Sequence, residues 1–82
     1  MLGKLAKTEK TVGVKQSLRA IRDRRAAAVF VAEDAEERLT GPVRALAEAE
    51  GLPIYEAPTM HRLGQACGIK VGAAVAVILK DV

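Results

Sequence analysis

Two short segments hold the residues of this chain best suited to chemistry. In Gly13-Val14-Lys15-Gln16-Ser17-Leu18-Arg19 a glycine opens a run with helical spacing, so Lys15 and Gln16 fall in a first turn and Arg19 one turn later. A helix start offers unpaired N–H groups to phosphates or base edges, and Lys15, Arg19 and Arg22 line one stripe that adds positive charge. In Leu63-Gly64-Gln65-Ala66-Cys67-Gly68-Ile69-Lys70-Val71-Gly72-Ala73-Ala74 a helix end passes through a glycine-rich turn with apolar tips into a buried strand. An apolar loop beside a basic helix terminus could receive an unstacked base, and the two together suggest a small surface that grips folded RNA.

Other chemistries find less support. Glu33, Asp34, Glu36 and Glu37 cluster at a strand end, where an α/β enzyme could place acid–base groups, but negative charge there equally complements the start of a helix. Ser17 has no histidine at a useful local spacing and makes no case for a nucleophile. Cys67 and the single histidine, His61, are too few for a zinc site, so no metal or cofactor is expected. Cys67 reads as a small buried hydrophobe and His61 as a surface residue in a first helical turn. No phosphate-binding loop of the Walker type is present, and the Gly64 to Gly68 spacing is not a dinucleotide fingerprint. Phe30 and Tyr55 are the aromatic residues, and Phe30 is expected to be buried, which argues against a base-stacking platform for single strands.

The elements that must position these residues fit one domain, spanning residues 1–82. Half the residues are hydrophobic, many of them alanine, which requires a tight core of Val, Ile, Leu and Ala rather than a disordered chain. The longest apolar run, Val71 to Leu79, is too short to span a bilayer, and Lys4, Lys7 and Lys10 argue against a signal peptide, so a cytoplasmic protein without a membrane role is expected. The net charge of +3 is weak evidence on its own, but eight of the thirteen Lys and Arg residues lie in the first 25 positions while the stretch 33–50 is acidic. One basic end and one acidic flank give the domain a preferred binding side.

Along the chain, Leu2 to Lys7 could form a short helix and Thr11-Val12 a brief extended stretch. Val14, Leu18 and Ile21 recur at helical spacing to about Arg24. The continuous apolar run Ala27 to Ala32 suits a strand covered on both faces. Gly41-Pro42 is expected to open the next helix, with Pro42 at its first position, Val43, Leu46 and Ala47 inward and Gly51 just past its end. Pro53 to Ala57 reads as a strand. Pro58-Thr59 then caps a helix ending at about Cys67 and Gly68, with Met60, Leu63 and Cys67 on one face, and Ala73 to Leu79 is the last strand. The alternation implies a three-layer α/β/α sandwich with a small mixed central sheet.

Within RNA recognition, Lys15 and Gln16 can donate to base edges such as guanine O6 and N7. The major groove of regular A-form RNA is too narrow for this, so the target must be bent or widened. Arg19 can bind phosphate. From the residues alone, a merely solvated basic face and a core-facing Ile69 and Val71 both stay open.

At these residues the chain resembles the kink-turn RNA-binding ribosomal proteins of the L-seven-Ae type, particularly the short bacterial members. The resemblance runs through nearly the whole chain, on the two segments above and on Val29-Phe30-Val31-Ala32-Glu33-Asp34-Ala35. It implies an α/β/α sandwich in which a motif Gly-x-Asn-Glu-x-x-Lys enters the widened groove of a kinked stem and meets tandem sheared G·A pairs. Gly13 matches the glycine and Arg19 the lysine. Lys15 and Gln16 replace the usual archaeal and eukaryotic asparagine and glutamate, as in the bacterial version. It also implies that Ile69, Val71 and their neighbours cover a flipped-out nucleotide. Lys70 stands where many members have glutamate and Gly72 where archaeal members often have proline, departures that bear on loop stiffness and discrimination between RNAs.

The resemblance thus implies a non-enzymatic monomer that binds kink-turn RNA, ribosomal RNA included, through Gly13, Lys15, Gln16, Arg19, Arg22, Ile69, Lys70, Val71 and Gly72. Its rivals are an RNA-binding or ribosomal protein without kink-turn specificity, a protein-interaction module using the acidic flank, and an accessory domain detached from an RNA methyltransferase.

Overall fold

The apolar run at the centre of the chain becomes the inner strand of a four-stranded sheet. In the computed structural model, which describes residues 8–80, the elements are β1 (Lys10–Val12), α1 (Val14–Arg22), β2 (Ala26–Ala32), α2 (Glu37–Ala49), β3 (Ile54–Ala57), α3 (Met60–Cys67) and β4 (Val75–Leu79). The sheet order is β1-β4-β2-β3. β2 and β3 run parallel, with Phe30 opposite Tyr55, while β4 is antiparallel to both β1 and β2. The sheet is therefore mixed. The helix expected over residues 2–7 lies outside the described residues.

Strand alternation divides the core into two layers. Val29 and Val31 of β2 and Val75 and Val77 of β4 point to one face, where Ala20 and Ile21 of α1 and Val43 and Ala47 of α2 cover them. Ala28, Phe30 and Ala32 of β2 and Ala76 of β4 point to the other face, against Leu63 and Cys67 of α3. This is the expected three-layer sandwich. The rings of Phe30 and Tyr55 lie 5.2 Å apart on the α3 side. Small residues in both layers let helix and sheet backbones approach closely, which is how a chain this short fills its interior.

Local signals set most element ends. Thr59 caps α3, its hydroxyl accepting from the Arg62 amide, and Gly68 closes that helix in a left-handed conformation (φ 80°). Gly51 follows the end of α2 with φ 70°. α1 ends at Arg22, two residues earlier than its pattern suggested, and Arg24 takes a left-handed backbone (φ 58°) in the turn into β2.

One expected boundary is corrected. α2 begins at Glu37, and Pro42 sits inside it rather than at its first position. The amides of Leu39 and Thr40 both donate to the Glu36 carbonyl, and burial of Thr40 anchors this added turn. Pro42 lacks the N–H that would reach the Arg38 carbonyl. Both residues lie on the exposed side of the helix, where an unmatched carbonyl costs least. Among the described residues, no helix is long and apolar enough to cross a membrane.

Candidate nucleic-acid interface

The segments singled out in the sequence meet at one end of the sheet. The Gly13 amide donates to the Val75 carbonyl at 2.9 Å, tying the start of α1 to the start of β4. The Ala32 amide donates to the Ala74 carbonyl at 2.9 Å, and the Glu33 amide to the Ala57 carbonyl at 2.8 Å. The start of α1, the loop before β4, the turn after β2 and the start of α3 therefore share one rim.

Gly13 adopts φ 103° and ψ 156°, a backbone that side-chain-bearing residues rarely reach, and a Cβ built there would meet no atom within 4 Å. The glycine is needed for conformation, and the space beside it is open. No side chain caps α1. Ser17 donates its amide to the Gly13 carbonyl, so the amides of Val14, Lys15 and Gln16 precede the first intrahelical bond. The Ser17 side chain is fully buried against the sheet, which removes it as a surface nucleophile.

Lys15, Gln16, Arg19 and Arg22 are exposed and together line a groove of about 200 Å³. The two ion pairs among the described residues, Arg38 with Glu36 and Arg44 with Glu56, use none of these cations. Among the described residues, the basic stripe thus has no ion-pair partner. The acidic flank, by contrast, is partly consumed internally, since Glu36 holds Arg38 and Asp34 holds a backbone amide, and Arg44 within it is held by Glu56 of β3.

Residues 68–74 form the loop between α3 and β4. Val71 is 70% exposed, while Ile69 is half-buried and packs on the α3-side core. The two readings left open for this pair are divided between them: Ile69 anchors the loop and Val71 presents it. Lys70 and Gly72 are exposed beside Val71. The loop lies directly on α3, with the Ile69 amide donating to the Gly64 carbonyl (3.1 Å) and the Ala73 amide to the Met60 carbonyl (3.0 Å).

Asp34 is the rim residue whose role the sequence did not indicate. Its Oδ1 accepts from the Met60 amide at 2.8 Å, at the start of α3. The partners are 26 positions apart, and no local pattern links them. His61 is exposed in the first turn of α3, and Cys67 is buried, its thiol pushed up by burial despite the opposing charge of Lys10. Among the described residues, no group of three or more His, Cys, Asp or Glu is placed to hold a metal ion.

Fold and rim together define a small α/β/α domain that presents the uncapped, basic start of α1 and one apolar loop at a single sheet end; the start of α2 also lacks a side-chain cap but carries Glu36 and Glu37. The chain belongs to the Ribosomal protein L7Ae/L30e/S12e/Gadd45 family, whose model matches residues 2–82. RNA-binding protein BH0128 of Halalkalibacterium halodurans is 40% identical over 73 residues, 89% of each chain. RNA-binding protein YbxF of Geobacillus stearothermophilus is 41% identical over 69 residues, 84% of each chain. Among solved structures, the Giardia lamblia 15.5kD RNA binding protein superposes with a TM-score of 0.86 at 24% identity, over 98% of this chain and 68% of that one. At that identity the likeness speaks to the fold.

Proposed function

We propose that this chain is a non-enzymatic, cytoplasmic RNA-binding protein that recognises and stabilises kink-turns, in ribosomal RNA or another structured RNA. The observation that carries this reading is the contrast between two helix starts on one rim. The start of α3 has amides taken by Asp34 and Thr59, whereas the start of α1 is uncapped and flanked by cations with no ion-pair partner among the described residues. An uncapped, positively charged helix start is suited to an anionic ligand from outside. Relatives named RNA-binding proteins, at 40% and 41% identity, make RNA the fitting anion.

In this reading Gly13 lets RNA approach the backbone, and Lys15 and Gln16 read the G·A region of a widened groove. Arg19 and Arg22 neutralise phosphate. Val71 packs on an extruded nucleotide, supported by Ile69 beneath and flanked by Lys70 and Gly72. The protein acts as a monomer and lowers the free energy of the bent RNA because it binds that state in preference to the extended one.

The test is binding, at one fixed salt concentration, to a kink-turn stem and to the same stem with its tandem G·A pairs converted to Watson–Crick pairs. The expected result is a preference of at least about tenfold, equivalent to about 1.4 kcal/mol, for the kinked stem. That preference disappears in a Lys15→Ala/Gln16→Ala protein that keeps its thermal stability. Equal, weak binding to both stems would overturn the reading.

A further inference from the structure

We propose that Asp34 is a positioning residue for the recognition loop, acting through the first residue of α3. Met60 is held from both sides. Its amide donates to Asp34 Oδ1 at 2.8 Å, and its carbonyl accepts from Ala73 at 3.0 Å. Thr59 caps α3 independently, at the Arg62 amide (3.0 Å), so Asp34 is not needed simply to provide a cap. What Asp34 adds is a fixed link from the turn after β2 to the helix on which the loop rests.

The loop follows α3 because two glycines let it lie close. A Cβ on Gly72 would stand 3.1 Å from the Met60 Cβ, and one on Gly64 would collide with the Val71 backbone. The loop therefore has little freedom of its own and takes its position from Met60 and Gly64. Asp34 sets where Met60 sits relative to β2, and β2 is tied to the loop's far end by the Ala32 amide on the Ala74 carbonyl. Asp34, Met60, Ala73, Ala74 and Ala32 form a closed circuit at the rim. Its consequence is a fixed height for the exposed Val71 side chain relative to the start of α1, where Gly13 hangs on Val75, the residue after Ala74. Asp34 touches no RNA in this scheme.

The proposal rests on the RNA reading for its functional part, and the experiment separates the two. Wild type, Asp34→Ala and Asp34→Asn are compared on a kink-turn stem and on the same stem carrying an abasic linker at the extruded nucleotide. Amide exchange of Ile69 and Ala73 is followed in the free proteins. Asp34→Ala is expected to weaken binding to the base-bearing stem about fivefold, the scale of one lost hydrogen bond, with little change on the abasic stem. Exchange of Ala73 should quicken while that of α1 does not. Asp34→Asn keeps an acceptor oxygen and should restore most of the difference. Equal losses on both stems, unchanged binding and exchange, or an Asn variant no better than Ala would each overturn the proposal. If wild type does not distinguish kinked from Watson–Crick stems, the RNA reading fails, while faster Ala73 exchange in Asp34→Ala would still establish the loop-holding role.

Discussion

Gly64 and Val71 meet backbone to backbone: a Cβ on Gly64 would lie 3.1 Å from the Val71 carbonyl carbon and closer still to its oxygen. Gly64 is buried in the middle of α3, a position where glycine costs helix stability, so its value lies in this contact. The most exposed large apolar side chain described in the protein is thus carried on a peptide pressed against a helix. Gly64→Ala is expected to push the loop outward, lower stability by about 1–3 kcal/mol, and weaken binding to a base-bearing kinked stem more than to its abasic counterpart. Thermal denaturation with paired binding measurements checks this. An unchanged melting temperature with unchanged binding would mean the loop does not need the contact.

Ile69 and Val71 should separate stability from recognition. Val71→Ala is expected to shift stability by no more than about 0.5 kcal/mol, because that side chain is 70% exposed, while reducing affinity for the kinked stem. Ile69 is half-buried against the α3-side core, so Ile69→Ala should cost about 1–2 kcal/mol of stability. Denaturant titration of both variants beside the binding assay distinguishes them. The opposite pattern would place Val71 in the core and Ile69 at the ligand.

The same loop shows how far the sequence could be read. Periodicity and caps located α1, β2, α3 and β4 to within about two residues, because each is defined by short-range chemistry such as Thr59 on the Arg62 amide or the left-handed Gly68. Pro42 misled because proline at a helix start is a common local pattern. The residue that extends α2 backwards is Thr40, through burial that the sequence does not display. For Ile69 and Val71, spacing could not say which faces the core, since a loop has no fixed period. The basic stripe was legible because it follows helical geometry. Its lack of ion-pair partners among the described residues was not, because that depends on where Asp34, Glu36 and Glu56 spend their charge. The link from Asp34 to Met60 depends on the parallel pairing of β2 with β3, a long-range relationship.

Arg19 and Arg22 should reveal themselves through salt. Each is exposed, lines the groove with Lys15 and Gln16, and has no ion-pair partner among the described residues. If each neutralises one phosphate, replacing it by alanine lowers the slope of log K against log salt by about 0.7–0.9. The preference for a kinked over a Watson–Crick stem should change little, because phosphate contacts position without reading sequence. Titration at several salt concentrations measures the slope. A variant that weakens binding with an unaltered slope would show that the arginine acts without neutralising phosphate.

The Arg44–Glu56 pair sets a small, testable pH dependence of stability away from the basic stripe. Arg44 donates to both carboxylate oxygens of Glu56, with Nη2 to Oε1 at 2.8 Å. Hydrogen bonding to Arg44 holds the Glu56 carboxyl below its ordinary range, outweighing the upward effect of burial. A carboxylate depressed in the folded state binds its proton more readily when unfolded, so its stabilising contribution is present above the unfolded pKa and fades as pH falls through the folded one. Both side chains are substantially solvated, at 29% and 39% relative exposure, so the contribution is at most about 0.5 kcal/mol. Glu56→Gln should therefore reduce stability slightly at neutral pH and flatten the decline on the acid side of the ordinary glutamate range. Melting temperatures of the two proteins across pH 3–7 are expected to converge as the pH falls, consistent with a contribution that only the ionised carboxylate makes. Parallel curves with a constant offset would instead show that the substitution acts through packing and that the ion pair adds nothing titratable.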